Sequence, residues 1–402
     1  MSSIFESFLS TPEALEAFGD RAFVAAMLRF EVALAQAQAE CGLIPREAAD
    51  HVARCCADPD AFDAATIARE SGRAGSVAIP LIKAIKQAVD KCDPAAVAFT
   101  HLGATSQDVI DTACALASRP VLDDVCTDLD ICIGALLKLG DQYAAAPMLA
   151  RTLGQPGSVT SFGWKCAQWA APLVLARSRI RAAMDEALAI QLGGPVGTQV
   201  QMKGKGPDVV AAMARILGLA APASPWHTRR ESWVGLACEL ALLTGSLGKI
   251  AKDISLLGQW EVGEAAEPSE EGRGGSSAMP HKSNPVAAMI ALAAAQAAPQ
   301  HLATMLAAMP QEHERGLGGW QAELAAWPRL AQSAQGSVRA MAQALPGLRV
   351  NAARMRANLD RLRAELPPAA AAEWFDPALA GHAGDLARKQ IESLRQQLKD
   401  HE

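Results

Sequence analysis

A single tyrosine and an aromatic content of only 4% are the first features of this 402-residue chain. Strands draw on β-branched and aromatic side chains, whereas alanine costs least in a helix, and alanine is abundant here. An all-α protein is expected. There is no basic stripe and no long run of like charge, and the net charge is −6. That pattern offers nothing to nucleic acid. The nine cysteines form no CxxC pair and no cluster with histidine, which speaks against a zinc or disulfide scaffold and fits reduced thiols in a cytoplasmic protein. The opening MSSIFESFLSTPE lacks the basic start and apolar run of a signal peptide. The phosphate loop GxxxxGK[ST], the zinc motif HExxH and the nucleophile elbow GxSxG are absent.

One stretch lacks charge altogether. Pro285–Gln311 contains no Asp, Glu, Lys or Arg, and its length is enough to span a bilayer. It also holds Gln296, Pro299, Gln300 and His301, and much of it is alanine. That composition suits a helix buried in a large helical core, so no membrane is expected. The other long helical patterns are Val121–Gln142, Ser161–Leu192 and Arg230–Gly258, divided by short breaks rich in Gly or Pro. Long helices with short breaks favour an antiparallel bundle. The length suggests more than one domain. The divisions expected are a helical N-terminal domain over 1–97, a central bundle over 98–344 and a small C-terminal helical region over 345–402. In the last of these, charge rises and Pro367 and Pro368 interrupt.

Four polar stretches punctuate the helices. In THLGATSQDVIDT, residues His101, Thr105, Ser106 and Asp108 crowd a helix start. An N-cap explains them most simply, and an anion pocket at the helix end is the functional alternative. In ARTLGQPGS, Arg151, Thr152 and Gln155 lie in a short connection, where arginine can grip a carboxylate through two parallel hydrogen bonds. SPWHTRRESW places His227, Arg229 and Arg230 before a long helix, as an ordinary loop or a cationic rim. GGSSAMPHKSNP, Gly274–Pro285, combines glycines that permit unusual backbone shapes with Lys282 and Asn284 near a helix start. There, positive charge and free N–H groups can converge on an anion.

This last stretch resembles the signature loop of the fumarase/aspartase superfamily, GSSxMPxKxNP, with every fixed position filled. HLGATSQD and RTLGQP are similar to that family's first and second conserved regions and fall in the same order. The likeness runs over about Phe5 to Asp360. Within the superfamily, PWHTRRE, HERGLGGWQAE and GLRVNAARMRANLD are most similar to the 3-carboxy-cis,cis-muconate cycloisomerase branch. Two departures sharpen the choice. Leu153 stands where most of these lyases have a histidine, and Met289 stands where they have its glutamate partner. A carboxylate holds an imidazole in one tautomer and stabilises its charged form, which a leucine and a methionine cannot do. The segment after ANLD also looks abbreviated beside the family.

The resemblance implies a ring closure of a polycarboxylate by an all-α, three-domain enzyme. That enzyme would be a homotetramer with a twenty-helix core, with active sites shared between subunits and no metal or cofactor. It implies Ser276 as the proton-transfer residue, with Lys282 and the loop amides stabilising its alkoxide and His101 as a second donor. Substrate carboxylates would meet Asn284, Arg151, Thr152, Gln155, Thr105, Ser106, Ser277, Met279 and Arg315. His313 and His281 fit an exposed loop role. Alternatives are a relative acting on 3-sulfomuconate, a fumarate-releasing lyase and an inactive structural relative.

Overall fold

The computed structural model describes residues 4–400, so the first three residues of the N-terminal segment and the last two of the C-terminal region lie outside the described residues. The element order begins with α1 (Ile4–Leu9), α2 (Pro12–Ala17), α3 (Asp20–Glu40), α4 (Arg46–Cys55), α5 (Ala64–Ala74) and α6 (Ala78–Cys92). Next come α7 (Ser106–Gln142), the hairpin β1 (Pro147–Thr152) and β2 (Gln155–Ser161), α8 (Phe162–Ala187), α9 (Gly206–Leu217) and α10 (Glu231–Leu257). The chain closes with β3 (Ala265–Ala266), α11 (Val286–Ala308), α12 (Gly319–Ala344), β4 (Arg349–Val350), α13 (Ala352–Glu365), α14 (Pro368–Trp374) and α15 (Leu379–Asp400).

The expected bundle is present. Helices α7, α8, α10, α11 and α12 pack against one another. Small residues set the closeness of one pair: a Cβ on Gly248 of α10 would lie 2.5 Å from the Ala295 Cβ of α11. Helices α3–α6 form a lobe that meets α7 through α3 and α6, whereas α1 packs on α11 and α12, and α2 on α7 and α12. There Thr11 Oγ1 donates to Gln335 Oε1 at 2.7 Å. Helix α15 folds back on α8 and α7.

Three sequence expectations need correction. Helix α7 begins at Ser106, not Val121, and runs through Pro120. A mid-helix proline removes a hydrogen bond and crowds the preceding turn. Here Ala113, Leu116 and Ala117 before it and Val121, Leu122 and Val125 after it are all buried. Packing on both sides overrides local propensity. Helix α8 stops at Ala187 and not at Leu192, because the following backbone bonds instead to α7. Gln191 N–H donates to Thr112 Oγ1 at 3.0 Å, and the Gly193 and Gly194 N–H groups donate to Asp108 at 2.8 and 2.9 Å. The third correction is RTLGQ, which is no simple loop but the tip of the antiparallel β1–β2 hairpin, with Thr152 opposite Gln155. Its connecting residues Leu153 and Gly154 both have positive φ, 52° and 79°, as type I′ hairpin turns require.

Helices α10 and α11 are long and apolar enough, by length and composition, to cross a bilayer. They differ in how well their neighbours cover them. The apolar window of α10 is 56% buried, and that of α11 only 28%.

Candidate active site

Helix α7 has 37 residues, about 55 Å at a rise of ~1.5 Å per residue. The expected site residues divide between its two ends. At its start, Thr105 is the N-cap residue and Asp108 reaches back to accept from the Thr105 N–H at 2.9 Å. Capping therefore explains part of this cluster, as the sequence suggested. The Thr105 hydroxyl is taken by Arg315, whose Nη1–H donates to Oγ1 at 3.0 Å. Burial lowers the Arg315 pKa from its ordinary value, opposed by Asp108 and Asp111. Ser106 is the half-buried first residue of the helix. His101 precedes it in a left-handed conformation, φ 60°, and its Nδ1–H donates to Glu31 Oε1 at 2.8 Å. Burial disfavours the imidazolium, yet Glu31 outweighs that cost with help from Asp108, and the His101 pKa stands above its ordinary value.

Beneath this surface lies a buried charge network. Asp108 accepts from His227 Nε2 at 2.7 Å as well as from the two glycine amides. Arg230 donates to Asp111 at 2.9 and 3.2 Å and to Glu323, and stacks 4.5 Å from the Trp226 ring. Trp320 Nε1–H adds a bond to Asp111 Oδ1 at 2.9 Å. His227 and Arg230 are thus core residues, and PWHTRRE forms no cationic rim. Of the three cationic candidates there, Arg229 is the exposed one, and it is paired with Glu231.

The other end of the bundle carries the hairpin and the signature loop. Arg151 holds the buried Glu264 carboxylate through two bonds of 2.9 Å, and Asn358 Nδ2–H adds a third at 2.8 Å to Oε1. Thr152 and Gln155 are exposed at the hairpin tip, beside the fully exposed Leu153. The signature loop is pinched at its base. Asn284 N–H donates to Gly274 O at 2.7 Å, and a Cβ on Gly274 (φ 72°) would sit 2.4 Å from Asn284 O. Within the loop, Ser276 Oγ accepts from the Met279 N–H at 3.1 Å and from the Ala278 N–H at 3.4 Å. Ser277, Met279, His281 and Lys282 are exposed. One expectation fails. The N-terminus of α11 is not open to an anion, because Glu267 accepts from the Ala287 and Ala288 N–H groups at 3.0 and 2.8 Å.

The structure therefore joins Thr105 to Arg315, His101 to Glu31, and Arg151 to Glu264. Among the described residues no hydrogen bond or ion pair links Ser276 or Lys282 to His101, Thr105, Arg151 or Gln155. A groove of about 700 Å³ between α8 and α10, lined by Trp164, Trp169, Leu242, Lys249 and Asp253 among others, contains none of these residues. Sequence reasoning missed Glu31, Glu264, Glu267 and Asn358. Glu31 had a signal: it stands on the apolar face of α3 with Met27, Leu34 and Ala35, where an acid needs a partner.

A protein family described as Lyase matches residues 8–298. The chain belongs to that lyase family, the fumarase/aspartase superfamily. It is 42% identical over 404 residues to the 3-carboxy-cis,cis-muconate cycloisomerase of Bradyrhizobium diazoefficiens, covering all of this chain and 89% of that protein. It is 40% identical over 352 residues to a nitrosuccinate lyase of Streptomyces davaonensis, covering 86% of this chain and 74% of that one. The crystal structure of 3-carboxy-cis,cis-muconate lactonizing enzyme from Pseudomonas putida superposes with a TM-score of 0.90 at 34% identity, over 99% of this chain and all of that one. Within this lyase family the present chain has Leu153 in left-handed backbone at an exposed tip and Met289 half-exposed on the first turn of α11.

Proposed function

We propose that this protein is a cycloisomerase that closes 3-carboxy-cis,cis-muconate to 4-carboxymuconolactone in protocatechuate breakdown, the β-ketoadipate pathway. The likeness over the whole chain to cycloisomerases supports it. In this reaction a substrate carboxylate oxygen adds to the far alkene carbon. The electron pair of the alkene moves toward the neighbouring carboxylate, giving an aci-carboxylate, and that carbon takes a proton. The trianion becomes a dianion, with net uptake of one proton from solvent.

The enzyme must fold the trianion, stabilise the growing charge and deliver the proton. Ser276 is our candidate for proton transfer. The observation that carries this role is the pair of N–H dipoles from Ala278 and Met279 directed at its Oγ, since donors at a developing alkoxide are worth roughly 3 kcal/mol in barrier. Lys282 would add positive charge, and His101 a second donor. Asn284, Thr105, Ser106, Arg315, Thr152, Gln155, Ser277 and Met279 would meet the substrate. Arg151 would act by way of Glu264 or exchange that partner for a carboxylate.

Groups at opposite ends of a bundle whose longest helix measures about 55 Å cannot serve one small substrate within one chain. We infer that each site draws its parts from several copies in a homotetramer. The poorly covered α11, the apolar groove between α8 and α10, and the exposed Ile131, Leu175, Leu242 and Leu306 of the bundle helices support such an assembly. Five bundle helices per chain would give a core of twenty. The setting would be the cytoplasm, where the cysteines stay reduced.

The test is spectrophotometric. Purified protein should remove the ultraviolet absorbance of 3-carboxymuconate, and muconate and 3-sulfomuconate assayed side by side rank it among the muconates. The 40% identity to a nitrosuccinate lyase favours one other outcome. Release of nitrite from nitrosuccinate with no change in any muconate would replace the cycloisomerase by an elimination.

A further inference from the structure

We propose that Glu31 is a positioning residue for this cyclisation, holding the protonated His101 ring through Nδ1–H so that the Nε2–H of the imidazolium is presented to the substrate. The inference rests on the functional reading above and adds to it a residue from the N-terminal lobe.

The geometry begins with α3. Glu31 is fully buried, yet only Oε1 has a partner; Oε2 forms no hydrogen bond. A buried carboxylate with half its capacity unmet weakens a core, and a helix built only to pack would carry an apolar residue there. Seven residues on, Gln38 lies on the same face and its Nε2–H donates to Leu102 O at 2.7 Å. Helix α3 thus grips the loop twice, at the His101 ring and at the next carbonyl. Between these grips His101 has φ 60°. A non-glycine residue stays in that region only where its surroundings over-determine it. Among the described residues Nε2 has no protein hydrogen bond, and the side chain keeps 16% exposure.

The charged groups acting on the ring come from three elements: Glu31 on α3, Asp108 on α7 and Lys86 on α6. Burial and Lys86 oppose the imidazolium; Glu31 and Asp108 favour it and prevail. A carboxylate that fixes one ring nitrogen sets the tautomer and stabilises the charged form at the other. An imidazole–carboxylate couple is therefore present in this chain, on residues other than the positions now held by Leu153 and Met289.

The experiment compares wild type, Glu31→Gln, His101→Asn and the double variant in full-length protein. One readout is the NMR titration of the His101 ring, assigned by its loss in His101→Asn. The other is the pH profile of kcat and KM on 3-carboxymuconate. In Glu31→Gln the His101 midpoint should fall by about one pH unit. The alkaline limb of kcat/KM should fall with it, and kcat should drop about tenfold or more. The double variant should be no worse than His101→Asn alone, because the pair acts as a unit. An unmoved midpoint overturns the proposal, as does a moved midpoint with an unmoved pH profile. Should Glu31→Gln not fold, Glu31→Asp, which keeps the charge on a shorter stem, reads the same limb with a smaller shift. If wild type leaves every muconate untouched, the functional reading fails, while the ring titration still decides whether Glu31 controls His101.

Discussion

The start of α7 and the signature loop handle charge in opposite ways. At the end where α7 begins, Asp108, Asp111, Arg230, Glu323 and His227 are buried and bonded to one another. At the end where α11 begins, Ser277, His281 and Lys282 face outward on a glycine-rich loop with few bonds beyond its own backbone. Buried charges must be mutually satisfied, so the first end is fixed before any ligand arrives. Exposed charges on a pinched loop have unspent capacity for a ligand or a neighbouring copy. Stability should therefore respond mainly to substitutions in the buried network, and chemistry without loss of stability to substitutions in the loop.

The largest effect should follow Arg230→Met. It leaves Asp111 and Glu323 facing one another without a cation, and removing one partner of a buried ion pair costs about 3–5 kcal/mol. The urea midpoint should drop sharply. A small change would mean that the network is not structural. Ser276→Ala should do the reverse. Turnover should fall about 10²–10³-fold, with KM and the urea midpoint nearly unchanged. Loss of stability with unchanged turnover would invert the comparison.

A mixing experiment tests whether the ends meet across chains. Inactive Ser276→Ala and inactive His101→Asn proteins, unfolded together and reassembled in equal amounts, should recover about a quarter of wild-type turnover if each site takes these residues from different copies. No recovery would return both to one chain. Gly274→Ala should strain the loop base, where φ is 72° and Asn284 O blocks a Cβ. A cost of about 1–3 kcal/mol should appear mainly in kcat/KM, with the α7-start network untouched.

The smallest effect is a pH dependence of stability. The folded-state pKa of His101 is raised, so its contribution is complete below the unfolded value of about 6.5 and is lost as pH rises through the folded value. Thermal stability should decline across that window in wild type and lose this component in Glu31→Gln, as calorimetry at several pH values would register.

How much of this was legible beforehand follows from how local each feature is. Helical periodicity and Gly or Pro breaks announced α10 and α11 to within a few residues, because both signals are local, whereas α12 was not marked by them. The starts and stops that failed were decided at long range: Pro120 is carried by packing on both sides, and the Leu188–Gly194 segment is drawn out of the helix by Asp108 and Thr112. The RTLGQ hairpin was hidden because its turn is Leu–Gly rather than the Asn–Gly that marks such turns. Glu264 and Glu267 read as ordinary acids in a polar segment. Their work, gripping Arg151 and capping α11, exists only once distant parts of the chain meet.

The amino-acid sequence alone determined the helical class, the signature loop with Ser276, Lys282 and Asn284, and the absence of the usual histidine–glutamate relay. These are matters of residue type and short spacing. Only the tertiary structure decided which charges are core and which are free, that Glu31 holds His101, and that the candidate residues divide between the two ends of the bundle. Burial and distance are properties of chains brought together from far apart in sequence, and no local pattern encodes them.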